Sequence, residues 1–128
     1  LMERGFEPKV HAVFVHTKNL KKSAGWYSRL LGLPFDEKEV RSPVYNVPVT
    51  GEVYMTIDDH AFDDEYQFKP AKTPVFNFCS DNLEQSHRWI KENNIPVTRP
   101  IEKHGNFGWF HIEDPDGNAV MICGNCTE

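Results

Sequence analysis

One eight-residue string occurs twice in this chain. Asn19-Leu20-Lys21-Lys22-Ser23-Ala24-Gly25-Trp26 returns 63 residues later as Asn82-Leu83-Glu84-Gln85-Ser86-His87-Arg88-Trp89, with Asn, Leu, Ser and Trp at the same four places. Each copy follows an apolar run, Val13 to His16 and Val75 to Cys79. Each half then ends in a Gly-turned hairpin whose second arm carries Val53-Tyr54-Met55 or Ala119-Val120-Met121. A period near half the chain length means two copies of one supersecondary unit. A solenoid needs three or more short repeats. Two like halves facing each other predict a cleft with pseudo-two-fold symmetry, and function then depends on what lines it.

Composition narrows the classes. At 128 residues the chain is near the modal domain size and can bury a core. A net charge of −5 gives no electrostatic footprint for nucleic acid. No apolar run approaches a membrane span. The first residues, Leu1 to Phe6, lack the apolar core of an export signal. The three cysteines are an odd number and fit a reducing compartment better than a disulfide scaffold. The expectation is a cytoplasmic protein with no nucleic-acid or membrane partner.

Along the chain, Val10 to Val15 reads as a strand. Asn19 is a favourable N-cap for a helix with an apolar stripe of Leu20, Trp26, Leu30 and Leu31, stopped by Gly32 and Pro34. Strands follow near Phe35 to Val40, Pro43 to Val47 and Val53 to Ile57, with Thr50-Gly51 turning the last pair. The second half repeats the order: strand Val75 to Cys79, helix Leu83 to Glu92, then strands near Val97, Gly108 to Ile112 and Ala119 to Cys123. Asp114-Pro115-Asp116-Gly117-Asn118 signals a tight turn. The fold class is α+β: two paired β-α-β-β-β modules, residues 9–58 and 73–125, within one domain of 1–128. The linker of 59–72 is acidic and carries Phe62, Tyr66 and Phe68.

These features together resemble the vicinal oxygen chelate superfamily, which includes glyoxalase I, extradiol dioxygenases and the fosfomycin and bleomycin resistance proteins. The resemblance rests on the paired modules, the Asn-Leu-x-x-Ser-x-x-Trp-Tyr helix start, Leu30-Leu31-Gly32-Leu33-Pro34, and Asp114 to Asn118; it runs from Val10 to Cys123. It implies a homodimer and a cleft. It also implies a divalent metal held by a His on the first strand and a carboxylate on the last strand of each half. Registered on the helix starts, the His positions fall on Ala12 and Val75. Registered on the Gly turns, the carboxylate positions fall on Met55 and Met121. Ala and Val carry no donor, and a thioether suits a hard cation poorly. No metal cofactor is therefore expected at that quartet. His11 is one residue out of register and should face away.

Strand alternation then predicts the lining: Ala12, Phe14 and His16; Val75, Asn77 and Cys79; Tyr45 and His111 as equivalent places, with Trp109 beside His111; and Val53, Met55 and Ile57 opposite Ala119, Met121 and Cys123. The candidate ligand pocket is Phe14, Tyr45, Met55, Asn77, Cys79, Trp109 and Met121, an apolar lining with a few polar groups. His16 and His111 are the candidate catalytic groups, since imidazole titrates near neutrality. The plain alternative makes them core histidines. Met55, Met121 and Cys79 read equally as core fillers, and Trp26 and Trp89 as core anchors of the helices. Cys123-Gly124-Asn125-Cys126 trails off a strand and lacks a second pair for zinc. Asp58, Asp59 and His60, with Asp63, Asp64 and Glu65, read first as a solvated acidic loop, the alternative being a cluster that gathers a cation, and His60, His87 and His104 read as exposed.

Three functions follow. The first is a bleomycin-resistance-like protein that binds a small, partly apolar molecule without the metal quartet. The second is a metal-free lyase or isomerase, or a dioxygenase-like enzyme, using His16 or His111 with Asn77 or Tyr45 as a polarising group. The third rebuilds a divalent metal site from His16, His111 and Cys79 or a linker carboxylate.

Overall fold

The structure, a computed structural model, describes residues 2–126. The chain divides into two compact units, one ending at Tyr66 and the other beginning at Gln67. The first unit contains β1 (Ala12–His16), α1 (Leu20–Leu31), β2 (Val44–Val47) and β3 (Tyr54–Asp58). The second contains β4 (Asn77–Ser80), α2 (Leu83–Glu92), β5 (Val97–His104), β6 (Phe107–Glu113) and β7 (Ala119–Asn125). The sheets run β1-β3-β2 and β4-β7-β6-β5. In each, the strand before the helix pairs in parallel with the last strand, and the hairpin strands pair antiparallel. No helix among the described residues is long and apolar enough to cross a membrane.

The repeated Asn begins both helices. Asn19 Oδ1 accepts the Lys22 N–H at 3.2 Å, and Asn82 Oδ1 accepts the Gln85 N–H at 3.1 Å. Each fills one of the donor vacancies of a first helical turn. Gly32 ends α1 at φ 66°, with Leu33 N–H donating to Ser28 carbonyl at 2.8 Å, a Schellman-type close. Asn94 at φ 57° plays the same part after α2, and Ile95 N–H donates to Ile90 carbonyl.

The helix faces differ from the expected stripe. In α1 the buried residues are Leu20, Ser23, Ala24, Tyr27 and Ser28. Their spacing, 0, 3, 4, 7 and 8, is one helical face, but two of the five are Ser and escape a hydrophobic count. Small Ser and Ala let the helix axis lie close to the sheet, while Tyr27, wholly buried, supplies the bulk. The recurring Trp is not the anchor in either helix: Trp26 is half-buried, Trp89 is 39% exposed, and Leu83 and Ile90 take the core of α2. Burying each such large side chain stabilises by about 1.5–3 kcal/mol.

The stretch Phe35 to Val40 is not a strand. Asp36 accepts the Lys38 N–H through its carboxylate and starts a 3-10 turn over Glu37–Glu39, all exposed. The run Asp36-Glu37-Lys38-Glu39 offers no apolar alternation to hold against a sheet. Unit one is therefore β-α-β-β, with a three-stranded sheet. In the second unit β5 is longer than the sequence suggests and carries register shifts between Val97 and Arg99 and between Arg99 and Glu102, the kind of irregularity that obscures alternation. The Asp114–Asn118 turn forms as expected. Asp114 Oδ1 accepts N–H groups from Asp116 and Asn118, each at 2.9 Å, and Asn118 Nδ2 donates to Asp114 Oδ2.

Candidate functional site

Each sheet has a face toward its helix and a face away from it, and strand pairing assigns the side chains. In unit one Val13 pairs with Met55 and Val15 with Ile57. Tyr45 pairs with Ile57, and its ring sits edge-on to Phe35, which itself lies against Gly25 of α1. Met55, Ile57 and Tyr45 are thus on the helix side. The opposite face carries Ala12, Phe14 and His16 beside Tyr54, Thr56 and Asp58, with Val44 and Asn46 on the neighbouring strand.

This corrects three of the lining residues, Tyr45, Met55 and Ile57. Met55, 2% exposed, belongs to the core, and Thr56 stands where Met55 was expected. Asn46, not Tyr45, pairs with Thr56 as His111 pairs with Met121. Gly51 and Gly117 misled the register because they do not occupy equivalent places. Loops of equal length close Val47 onto Met55 and Ile112 onto Val120, yet Gly51 lies four residues before Met55 and Gly117 only three before Val120. One step along a strand reverses the face.

In unit two the face away from α2 holds two rows that cross all four strands. Asn77, Met121, His111 and Arg99 align across β4, β7, β6 and β5; Cys79, Cys123, Trp109 and Glu102 align in the next row. Phe110 lies on the other side, its ring edge-on to His87 of α2 at 5.1 Å. His87 is accordingly half-buried rather than exposed, and burial followed by Lys91 lowers its pKa. Cys79 is exposed, not a buried filler. Burial and then the adjoining Cys79 push the Cys123 thiol up. Cys126, the other half of the Cys-x-x-Cys, is buried. Val75 is 75% exposed and precedes β4.

His111 is the acid–base candidate of this face. Its Nε2 is buried without a hydrogen-bond partner among the described residues. Burial, then the Arg99 guanidinium, lowers its pKa against a smaller opposing pull from Glu102. Arg99 Nε and Glu102 Oε1 are paired at 2.8 Å. Trp109 is half-buried, with His104 stacked on it at a 5.2 Å centroid separation.

At the other candidate, His16, the structure gathers a cluster that the sequence reading assigned to a solvated loop. His16 and Asp58 are the last residues of β1 and β3 and pair directly in the parallel ladder. Two residues on, His60 adopts φ 55° and turns back, its N–H donating to Asp58 Oδ1 at 2.8 Å. A positive φ is unusual for a side chain with a Cβ, although His is among the residues enriched there. His60 Nε2 lies 3.5 Å from Asp58 Oδ2, and the two imidazole centroids are 4.6 Å apart. One donor atom from each of His16, Asp58 and His60 falls within 4.8 Å of the others. Asp58 is 7% exposed and the His60 side chain 19%. Tyr66 stacks on His60 at 3.9 Å, and Phe62 lies at 5.2 Å on the same ring. Both ring nitrogens of His60 are buried and make no hydrogen bond among the described residues. Such a buried polar atom costs about 1–3 kcal/mol when nothing satisfies it. Burial, then His60, lowers the His16 pKa, with Asp58 pulling the other way. The sequence did carry a signal: an Asp-x-His that begins at the last residue of a strand whose parallel partner ends in His.

The four positions at which the resemblance implies a metal quartet do not fit one. Ala12, Thr56, Val75 and Met121 supply no imidazole and no carboxylate, and the Thr56 hydroxyl donates to Asn46 Oδ1 at 2.8 Å. His11 lies just outside β1 and is exposed.

The model of the Glyoxalase/Bleomycin resistance protein/Dioxygenase superfamily matches residues 9–122. The chain belongs to that superfamily. Solved structures agree on the fold. Lactoylglutathione lyase from Agrobacterium tumefaciens aligns at TM-score 0.68 and 15% identity over 92% of this chain and 94% of that one. A superfamily member from Sphaerobacter thermophilus gives 0.72 and 15% over 93% and 98%. A glyoxalase/dioxygenase from Nostoc punctiforme gives 0.64 and 17% over 98% and 96%. At such identities the likeness shows the fold alone. No curated protein matches the chain.

Proposed function

We propose that this superfamily member binds a small, partly apolar molecule on the helix-free face of its four-stranded sheet, without the superfamily's metal quartet. The observation that carries this reading is the pair of cross-strand rows. Met121, Trp109, Cys79 and Cys123 form an apolar floor, with Asn77, His111, Arg99 and Glu102 in the same two rows. An apolar surface with a few fixed polar groups is what recognition of a small molecule requires. Arg99 and Glu102 favour a ligand bearing a carboxylate, phenol or amide at one end.

The test is a thermal-shift screen of small aromatic acids and phenols, followed by calorimetry on each hit. Saturable binding that falls at least about tenfold in both Met121→Lys and His111→Gln supports the reading. Hits that bind those variants as well as the parent chain place the site elsewhere and reject it. A cytoplasmic homodimer belongs to the same reading, and sedimentation of the purified chain checks the dimer.

One observation favours a second reading, that of a lyase, isomerase or other enzyme. His111, its pKa lowered by burial and its Nε2 without a hydrogen-bond partner among the described residues, is suited to take a proton from a bound carbon acid. Solvent deuterium exchange into a bound ligand, present in the parent chain and absent in His111→Gln, would establish proton transfer. Binding without exchange leaves the binding function alone.

A further inference from the structure

We infer that His16, Asp58 and His60 form a binding site for one first-row divalent transition-metal ion, at the C-terminal ends of two parallel strands and outside the superfamily's quartet. The site lies wholly within the first unit, so it stands or falls separately from the ligand face proposed above.

The donor set comes first. Two imidazoles and one carboxylate suit zinc, iron or cobalt rather than magnesium or calcium, which prefer oxygen throughout. Three protein ligands leave room for water or an exogenous ligand.

Distance comes next. Two donors on a tetrahedral ion with bonds of ~2.1 Å stand about 3.4 Å apart. His60 Nε2 and Asp58 Oδ2 are 3.5 Å apart, too far for a good hydrogen bond but close to that edge. His16 completes the triangle within 4.8 Å, a gap that a side-chain rotation can close.

The remaining observations concern how the groups are held. Asp58 Oδ1 is already committed to the His60 N–H, which leaves Oδ2 directed at the His60 ring. That hydrogen bond orients a carboxylate as second partners orient metal ligands. Tyr66 stacked on one ring fixes the plane of His60. A purely structural stack would explain the aromatic contacts. It does not explain why an imidazole beside a buried carboxylate keeps both nitrogens out of any hydrogen bond among the described residues.

The experiment titrates the metal-stripped full-length chain with Co(II), followed by visible d–d absorption, and with Zn(II) by equilibrium dialysis. One equivalent per chain should bind. Affinity should fall at least about 100-fold in His60→Gln and in Asp58→Asn, since losing even an outer-shell partner costs 10–100-fold. His11→Gln, which removes an exposed imidazole, should bind within twofold of the parent.

Three results would overturn the site: no saturable binding, binding unchanged in both variants, or a cobalt–thiolate charge-transfer band placing the ion on cysteine. Asp58 is buried, so Asp58→Asn could fail to fold. Paramagnetic broadening in the unmutated chain then decides. Loss of the His16, Asp58 and His60 amide signals first supports the site, and broadening centred elsewhere rejects it.

Discussion

Asn118 shows how much one polar side chain can organise. It is 6% exposed, and its Oδ1 accepts the Ala71 N–H at 2.9 Å while its Nδ2 donates to Asp114 Oδ2. The substitution Asn118→Ala would remove the acceptor of the Ala71 N–H and one donor to the Asp114 carboxylate together. A loss of about 2–3 kcal/mol is expected, read as a lower urea midpoint at unchanged slope. His87 and His111 contribute to the pH response of unit two. Both have pKa values lowered from 6.5, first by burial. The folded chain therefore binds fewer protons than the unfolded one as pH drops below 6.5. Their contribution is fully present above that pH and is lost as pH falls toward the folded values. Melting temperature should rise from pH 5 to 7, and the rise should be smaller in the double variant His87→Gln, His111→Gln, with His16 keeping part of it. An unchanged slope would assign the response to other groups.

At the scale of elements, the two N-caps are the most direct products of the repeat. Asn19→Ala and Asn82→Ala should each cost about 1 kcal/mol. Serine in either place should recover most of the loss in chemical denaturation. The helix starts were legible because a cap is a local device: one side chain and the backbone three residues on. The strands were legible where alternation was clean, as in β6, whose burial alternates from Gly108 to Ile112. They were not legible where a turn set the phase. Nothing local to Val53-Tyr54-Met55 tells which residue faces the helix; the pairing of Val47 with Met55 does. The same holds for Phe35 to Val40, where an apolar residue at each end suggested a strand and the side chain of Asp36 formed a turn instead.

At the scale of the whole molecule, the segment from Asp59 to Phe76 contains no helix or strand. Phe62 within it is 68% exposed. Chymotrypsin should make its first cut there, identified by mass spectrometry. If the His16–Asp58–His60 site holds zinc, the ion ties His60 down two residues before the scissile bond. At ten times its dissociation constant, zinc should slow that cut about tenfold, and His60→Gln should abolish the protection. First cleavage in β5 or β6 instead would show that the connecting segment is held more firmly than its exposure suggests.

The sequence by itself determined the repeat, the order of strand and helix in the second half, both helix starts, the tight turn at Asp114, and the absence of imidazole and carboxylate donors at Ala12, Val75 and Met121. Each is a matter of residue identity or of contacts spanning a few positions. Only the tertiary structure decided which face of the first sheet carries Thr56 and Asp58, that Tyr45 and Met55 belong to the core side, and that His16, Asp58 and His60 come together. Those facts depend on which residues pair across strands, Val13 with Met55 some forty positions on and Val47 with Met55 across a turn, and a one-residue step in that pairing exchanges every side chain between faces.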